Sequence, residues 1–260
     1  MAARLFACAA AAALTAAIPA ATAPVTARYR VDQTLTQEID ASAAGKGKQS
    51  ISFSTSSFLS LTLTDSVGGR TLRVVVDSMR GDSAAPIPAS VFDSAKGAEF
   101  RAFLTTAGKL SELEAVKVSP AAYRIQGFLS DFFPWVKAGV KPGEQWADTS
   151  SKTTTNGTDS VVVRRVTSYR AVGKETRDAR KAMRITSEYK STVAGTQPTD
   201  NGPARIEGSG KGTGTYFVSP EGLYLGGDWQ LQSALTISGA FSNEPVPVTI
   251  TQTTKVTALP

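Results

Sequence analysis

Glu144, Trp146 and Asp148 share one face if a strand begins near Gly143, and two carboxylates flanking an aromatic ring can bind or cleave a sugar. The plainer reading of the same residues is an exposed strand end with ordinary surface acids. Ser187 and Lys190 have the Ser-x-x-Lys spacing of serine acyl enzymes, which requires both side chains on one face of a helix. Their surroundings alternate like a strand, where residues three apart point to opposite faces, so the pair does not meet. Gly208, Gly210, Gly212 and Gly214 around Lys211 suggest a phosphate loop, but Arg205 stands where the first glycine belongs. Gly212 also replaces the Ser or Thr that would hold magnesium, and no helix pattern follows. Spaced two apart, the glycines form a stripe without side chains on one face of a strand. Such a stripe is either the floor of a cavity, where a ligand or backbone comes close, or a bend or groove filled by rings such as Tyr216 or Trp229.

The basic residues are concentrated. Between Arg164 and Lys190 stand Arg164, Arg165, Arg170, Lys174, Arg177, Arg180, Lys181, Arg184 and Lys190, against only Glu175, Asp178 and Glu188. Arg164, Arg165, Arg170, Arg177, Arg180 and Lys181 are the candidates for contact with an anionic membrane surface, since their potentials add across neighbouring strands. The same residues also suit a solvated hairpin whose arginines keep a sheet edge from aggregating. Asn156-Gly157-Thr158 matches a glycosylation acceptor, and Asn-Gly is equally a hairpin turn.

The elements that must position these groups are strands. Tyr29, Val31, Leu35 and Ile39 share one parity, as do Ile51, Phe53, Leu59, Leu61 and Leu63, and then Leu72, Val74 and Val76. Turn residues fill the gaps, so antiparallel neighbours are expected. Pro86 and Pro88 open a connection with a short helix near Ser90 to Lys96. Ser119-Pro120 then caps a helix whose Ile125, Phe128, Leu129 and Phe132 are spaced three and four apart, and Pro134 ends it. That apolar stripe must lie against the sheet, because so short a helix does not stand alone. Strand patterns resume over Trp146 to Thr155 and Val161 to Val172, then along Met183, Ile185, Tyr189 and Val193. A Pro- and Gly-rich loop, Gly195 to Pro203, precedes a last meander of Arg205 to Val218, Leu223 to Ser238 and Val246 to Val256. The pattern gives about ten strands. The expected fold is mainly β: one large antiparallel curved sheet, half-barrel or barrel-like, with one or two short helices on its apolar face. A closed barrel, a half-barrel and a folded-over sandwich all accept it.

Arg4 followed by an apolar, Ala-rich stretch from Leu5 to Ala20 reads as a secretory signal within residues 1–23, cleaved between Ala20 and Ala23. Residues 24–260 then form a single antiparallel β domain, periplasmic or secreted. The chain has no His, and its one Cys, Cys8, lies in the leader. Disulfides, thiol nucleophiles, His-based acid–base catalysis and His or Cys metal sites are therefore outside the chemistry of the mature chain. The formal charge is +6, and removing Arg4 leaves about +5.

An N-terminal signal, a long meander, one crossing helix and a Gly-rich strand before Ser219-Pro220-Glu221-Gly222 resemble the uncharacterised exported β-rich proteins of bacteria. Those proteins share a stretch like Phe132-Phe133-Pro134 followed by Pro142-Gly143-x-x-Trp146. More distantly, the arrangement is similar to LolA-like periplasmic lipoprotein carriers, a resemblance that implies a curved sheet half-closed around a helix and holding acyl chains. The expected function is non-catalytic: a lipid or other hydrophobic ligand held between the sheet and Ile125, Phe128, Leu129 and Phe132, without cofactor, metal or nucleic acid. The alternative is a structural or interaction protein of the cell envelope with no small-molecule ligand.

Overall fold

The computed structural model describes residues 23–85, 88–116, 126, 129, 132–156, 159–199, 202–239 and 244–260. The leader, Ile125 and Phe128 lie outside the described residues. Eleven strands among them form one sheet: β1 (Val25–Ala41), β2 (Gly47–Ser66), β3 (Gly69–Gly81), β4 (Glu99–Thr105), β5 (Glu114–Ala115), β6 (Gln145–Asn156), β7 (Asp159–Arg177), β8 (Arg180–Thr199), β9 (Gly202–Val218), β10 (Tyr224–Ser238) and β11 (Val246–Leu259). Their order is β5-β4-β3-β2-β1-β11-β10-β9-β8-β7-β6, and every neighbouring pair is antiparallel. This is the order of an up-and-down barrel cut between β5 and β6. The sheet nevertheless curls on itself, because Lys109, beside β4, donates to Asp148 on the opposite edge strand over 2.8 Å. Lys152 of β6 reaches Glu112 at 3.4 Å. Side chains and the connection from β5 to β6 span the gap that backbone hydrogen bonds leave open.

Alternation decides which face is oily. Tyr29 and Val31, Leu59 to Leu63, Leu72 to Val76, Phe100, Ile185, Tyr216 and Val256 occupy one face and form the main core. Leu129, Phe132, Phe133, Val136 and Val140 of the β5–β6 connection pack into that core. Gln126 and Leu129 are helical, whereas Phe132, expected on the same helix, is buried in the bend that follows it. The segment is sewn down by polar bonds: Val136 N–H donates to Gly108 O at 3.1 Å, Trp135 Nε1 to Ala107 O at 2.7 Å, and the Tyr216 hydroxyl to Trp135 O at 3.0 Å. Tyr29, Tyr224 and Phe133 pack ring on ring, with centroids 5.6 and 5.4 Å apart along that sequence.

Two features of the sequence reading are corrected. β4 and β5 were not anticipated, because a seven-residue and a two-residue strand follow the proline-broken connection and its one-turn helix α1 (Ala89–Ser94). The expected loop from Gly195 to Pro203 is largely strand, since β8 and β9 stay paired out to Thr199 and Gly202. Pro198 sits opposite Pro203, beyond the last partners of β8 on β7 and of β9 on β10. With no third strand alongside, their missing N–H groups interrupt no ladder.

Candidate functional site

A type II turn, Lys141-Pro142-Gly143-Glu144, joins the crossing segment to β6, with proline at the second position and Gly143 at φ +85°, where only glycine is unstrained. Gly143 N–H donates to Ala171 O at 2.8 Å and Ala171 N–H to Glu144 O at 2.9 Å, clipping the turn to β7. Glu144 accepts from Lys137 Nζ at 2.5 Å and from the Lys141 N–H at 3.2 Å. Those two hydrogen bonds, Lys137 first, hold its carboxyl below the usual glutamate range. It is an ionised anchor rather than a proton donor. Asp148 is likewise engaged by Lys109, and Trp146 stacks on Tyr169 with centroids 5.4 Å apart. The acids that suggested sugar chemistry therefore fasten the bridge across the cut.

Beside this turn the sheet leaves a cavity of about 560 Å³, bounded by residues 137–142, the β7–β8 hairpin and the turn after β9. Val140, Met183 and Val218 form its floor, and Lys137, Lys141, Lys174 and Lys181 stand around it. Lysine stems and the rings of Pro142 and Pro220 line the walls, a surface that is apolar until the ammonium groups. β7 supplies Lys174 through a bulge between Ala171 and Gly173. With that extra residue Lys174 lies opposite Met183, while Glu175, which also lines the cavity, has its carboxylate 3.8 Å from Arg184. Ser219 holds the third wall, accepting from Gly222 N–H at 3.0 Å in the turn read from Ser219-Pro220-Glu221-Gly222.

The glycine stripe faces the core side, as its pairings Gly214–Trp229, Gly212–Leu231, Gly210–Ser233 and Gly208–Leu235 require. It is a crowded surface. A Cβ on Gly212 would stand 2.1 Å from the Tyr189 ring and 2.5 Å from Gln230 O, and one on Gly208 2.2 Å from Ala234 O. The filled-groove reading holds here, with Tyr189 as the ring rather than Tyr216. Gly210 and Gly214 meet serine hydroxyls of β8, Ser191 and Ser187. Ser187 faces the core side and Lys190 the other, so the Ser-x-x-Lys pair is indeed split by the pleat.

The basic candidates do not form one patch. Arg164 and Arg170 are exposed on the face away from the core, while Arg165 points the other way, its guanidinium 5.5 Å from the Tyr189 ring centroid. Arg177 covers the Phe217 ring at 4.1 Å, beside Arg180 at the hairpin tip, and Lys181 lines the cavity. On the face away from the core a shallow trough of about 710 Å³ crosses five strands, lined by hydroxyls and charges such as Thr34, Thr213, Asp228 and Lys255. Trp229 is the one large apolar residue among those lining it. Sequence reasoning chose Lys181 as a contact residue, counted Lys174 only within the basic run and missed Lys137 and Lys141; their convergence depends on a bulge and on a turn from another part of the chain.

Comparison with known proteins adds no relative: no family model, no curated protein and no solved structure matches this chain.

Proposed function

We propose that the protein is an exported, non-catalytic binding module that holds a lipid or other hydrophobic small molecule where the crossing segment meets the curved sheet. The observation that carries this reading is the cavity of about 560 Å³ floored by Val140, Met183 and Val218. Its size falls in the range of about 300–1,000 Å³ typical of small-ligand sites. A chain without His, whose two suggestive acids are each bound to a lysine, supports binding over catalysis. The gap directly under Phe132 and Phe133 is filled by their own side chains, so the ligand sits at the mouth of the curl rather than through its centre. That filled core also favours a second reading, an envelope interaction protein that works through its exterior. Native mass spectrometry of protein purified from the envelope of the cells that make it separates the two. A co-purifying hydrophobic molecule is expected, and repeated ligand-free spectra from such preparations contradict the binding module.

A further inference from the structure

We infer that the ligand of this mouth is a single-chain amphiphile with an anionic head, a carboxylate or a phosphate, seated among Lys141, Lys174 and Lys181. This rests on the binding reading above and adds the charge of what is bound. Four lysines converge from three separate stretches: the crossing segment, β7 and β8. Lys137 is paired with Glu144 at 2.5 Å and the charge of Lys141 also acts on that carboxylate, while Lys174 and Lys181 form no ion pair with any carboxylate among the described residues. Glu175, beside Lys174, also lines the cavity, but the β7 bulge sets Lys174 opposite Met183 and leaves the Glu175 carboxylate 3.8 Å from Arg184 rather than on a lysine. The bulge thus puts Lys174 on the side of Met183, and the turn that carries Lys141 is clipped to Ala171. Below the ammonium groups the surface is Val140, Met183 and Val218, which attracts no charge. Cations above an apolar floor match a molecule with an anionic end and an alkyl end, with the head in a charge-assisted contact and the chain removed from water.

Affinities for palmitate, hexadecyl phosphate and hexadecanol distinguish the head from the chain, measured on the purified protein and on K141Q/K174Q/K181Q. Both anions are expected to bind about 10- to 100-fold more tightly than the alcohol, as charged hydrogen bonds permit. In the triple variant that gap closes while hexadecanol binds as before, which also reports an intact fold. Replacing Lys190 and Lys211, exposed on the opposite face, leaves the gap in place. A preference for only one of the two anions identifies carboxylate or phosphate as the head. Equal binding of anions and alcohol by the native chain overturns the head-group assignment and leaves hydrophobic binding standing. So does a gap that survives the triple variant, or one that the Lys190 and Lys211 control also closes. Failure of all three probes to bind overturns the assignment together with the reading beneath it.

Discussion

Tyr29 and Tyr224 stack in the same core, yet their hydroxyls meet different surroundings. Tyr29 Oη donates to Tyr224 O at 2.7 Å, whereas Tyr224 Oη is fully buried with no hydrogen-bond partner among the described residues. Burial raises the pKa of both phenols, and of Tyr216, because a phenolate in that core has lost its water. An unpaired buried hydroxyl costs about 1–3 kcal/mol of desolvation, so Tyr224→Phe is expected to leave stability unchanged or raise it. Tyr29→Phe, which strips a made bond, is expected to lower it by about 1 kcal/mol. Urea unfolding of the two variants beside the parent checks the contrast. A Tyr224→Phe protein markedly less stable than the parent would mean that its hydroxyl is satisfied.

Turns and bulges, rather than strands, set the site at the level of elements. The β7–β8 hairpin closes through Asp178 and Ala179 at φ 49° and 61°, a turn that glycine makes without strain. Ala179→Gly is therefore expected to stabilise the protein by about 1 kcal/mol, seen as a higher melting temperature, despite glycine's greater freedom in the unfolded chain. The Lys141–Glu144 turn adds a pH dependence. Because the folded pKa of Glu144 is depressed, its contribution is present above the unfolded glutamate value of about 4.3 and is lost as pH falls below it. The melting temperature of Glu144→Gln should lie below that of the parent at neutral pH, and the gap should narrow as pH falls through the depressed folded pKa. A constant difference across that range would remove Glu144 from the bridge. These devices also mark what was legible in the sequence. Alternation in Tyr29–Val31, Leu59–Leu63 and Leu72–Val76 showed strands and their buried face, since the pleat has a period of two. Phe100, Ala102 and Leu104 alternate too, but in so short a run that the preceding prolines masked them. The bulge between Ala171 and Gly173 is marked only by a lone strand glycine, too weak a signal to fix the register, and with it the inward turn of Lys174 was invisible.

At the scale of the molecule, the chain folds as two meanders. One runs outward from β1 to β5, the other from β11 back to β6, and they join where the first and last strands pair along Arg28 to Ile39. Among the described strands this order leaves one missing pairing, β5–β6, where the connection crosses, and the mouth lies where residues 137–142 of that connection meet the β7–β8 hairpin and the turn after β9. Local alternation cannot reveal that closure, because barrel, half-barrel and sandwich share it; long-range register decides. The central claim is that a hydrophobic ligand occupies this mouth. The chain's methionines are Met1, Met79 and Met183, and of the latter two Met183 forms the cavity floor while Met79 is buried on β3. Methyl NMR of the protein labelled at methionine, titrated with palmitate, reads the two positions separately. Saturable movement of the Met183 resonance with Met79 unmoved is the predicted result; a titration in which Met183 stays still, or in which both methyls move alike, contradicts the account.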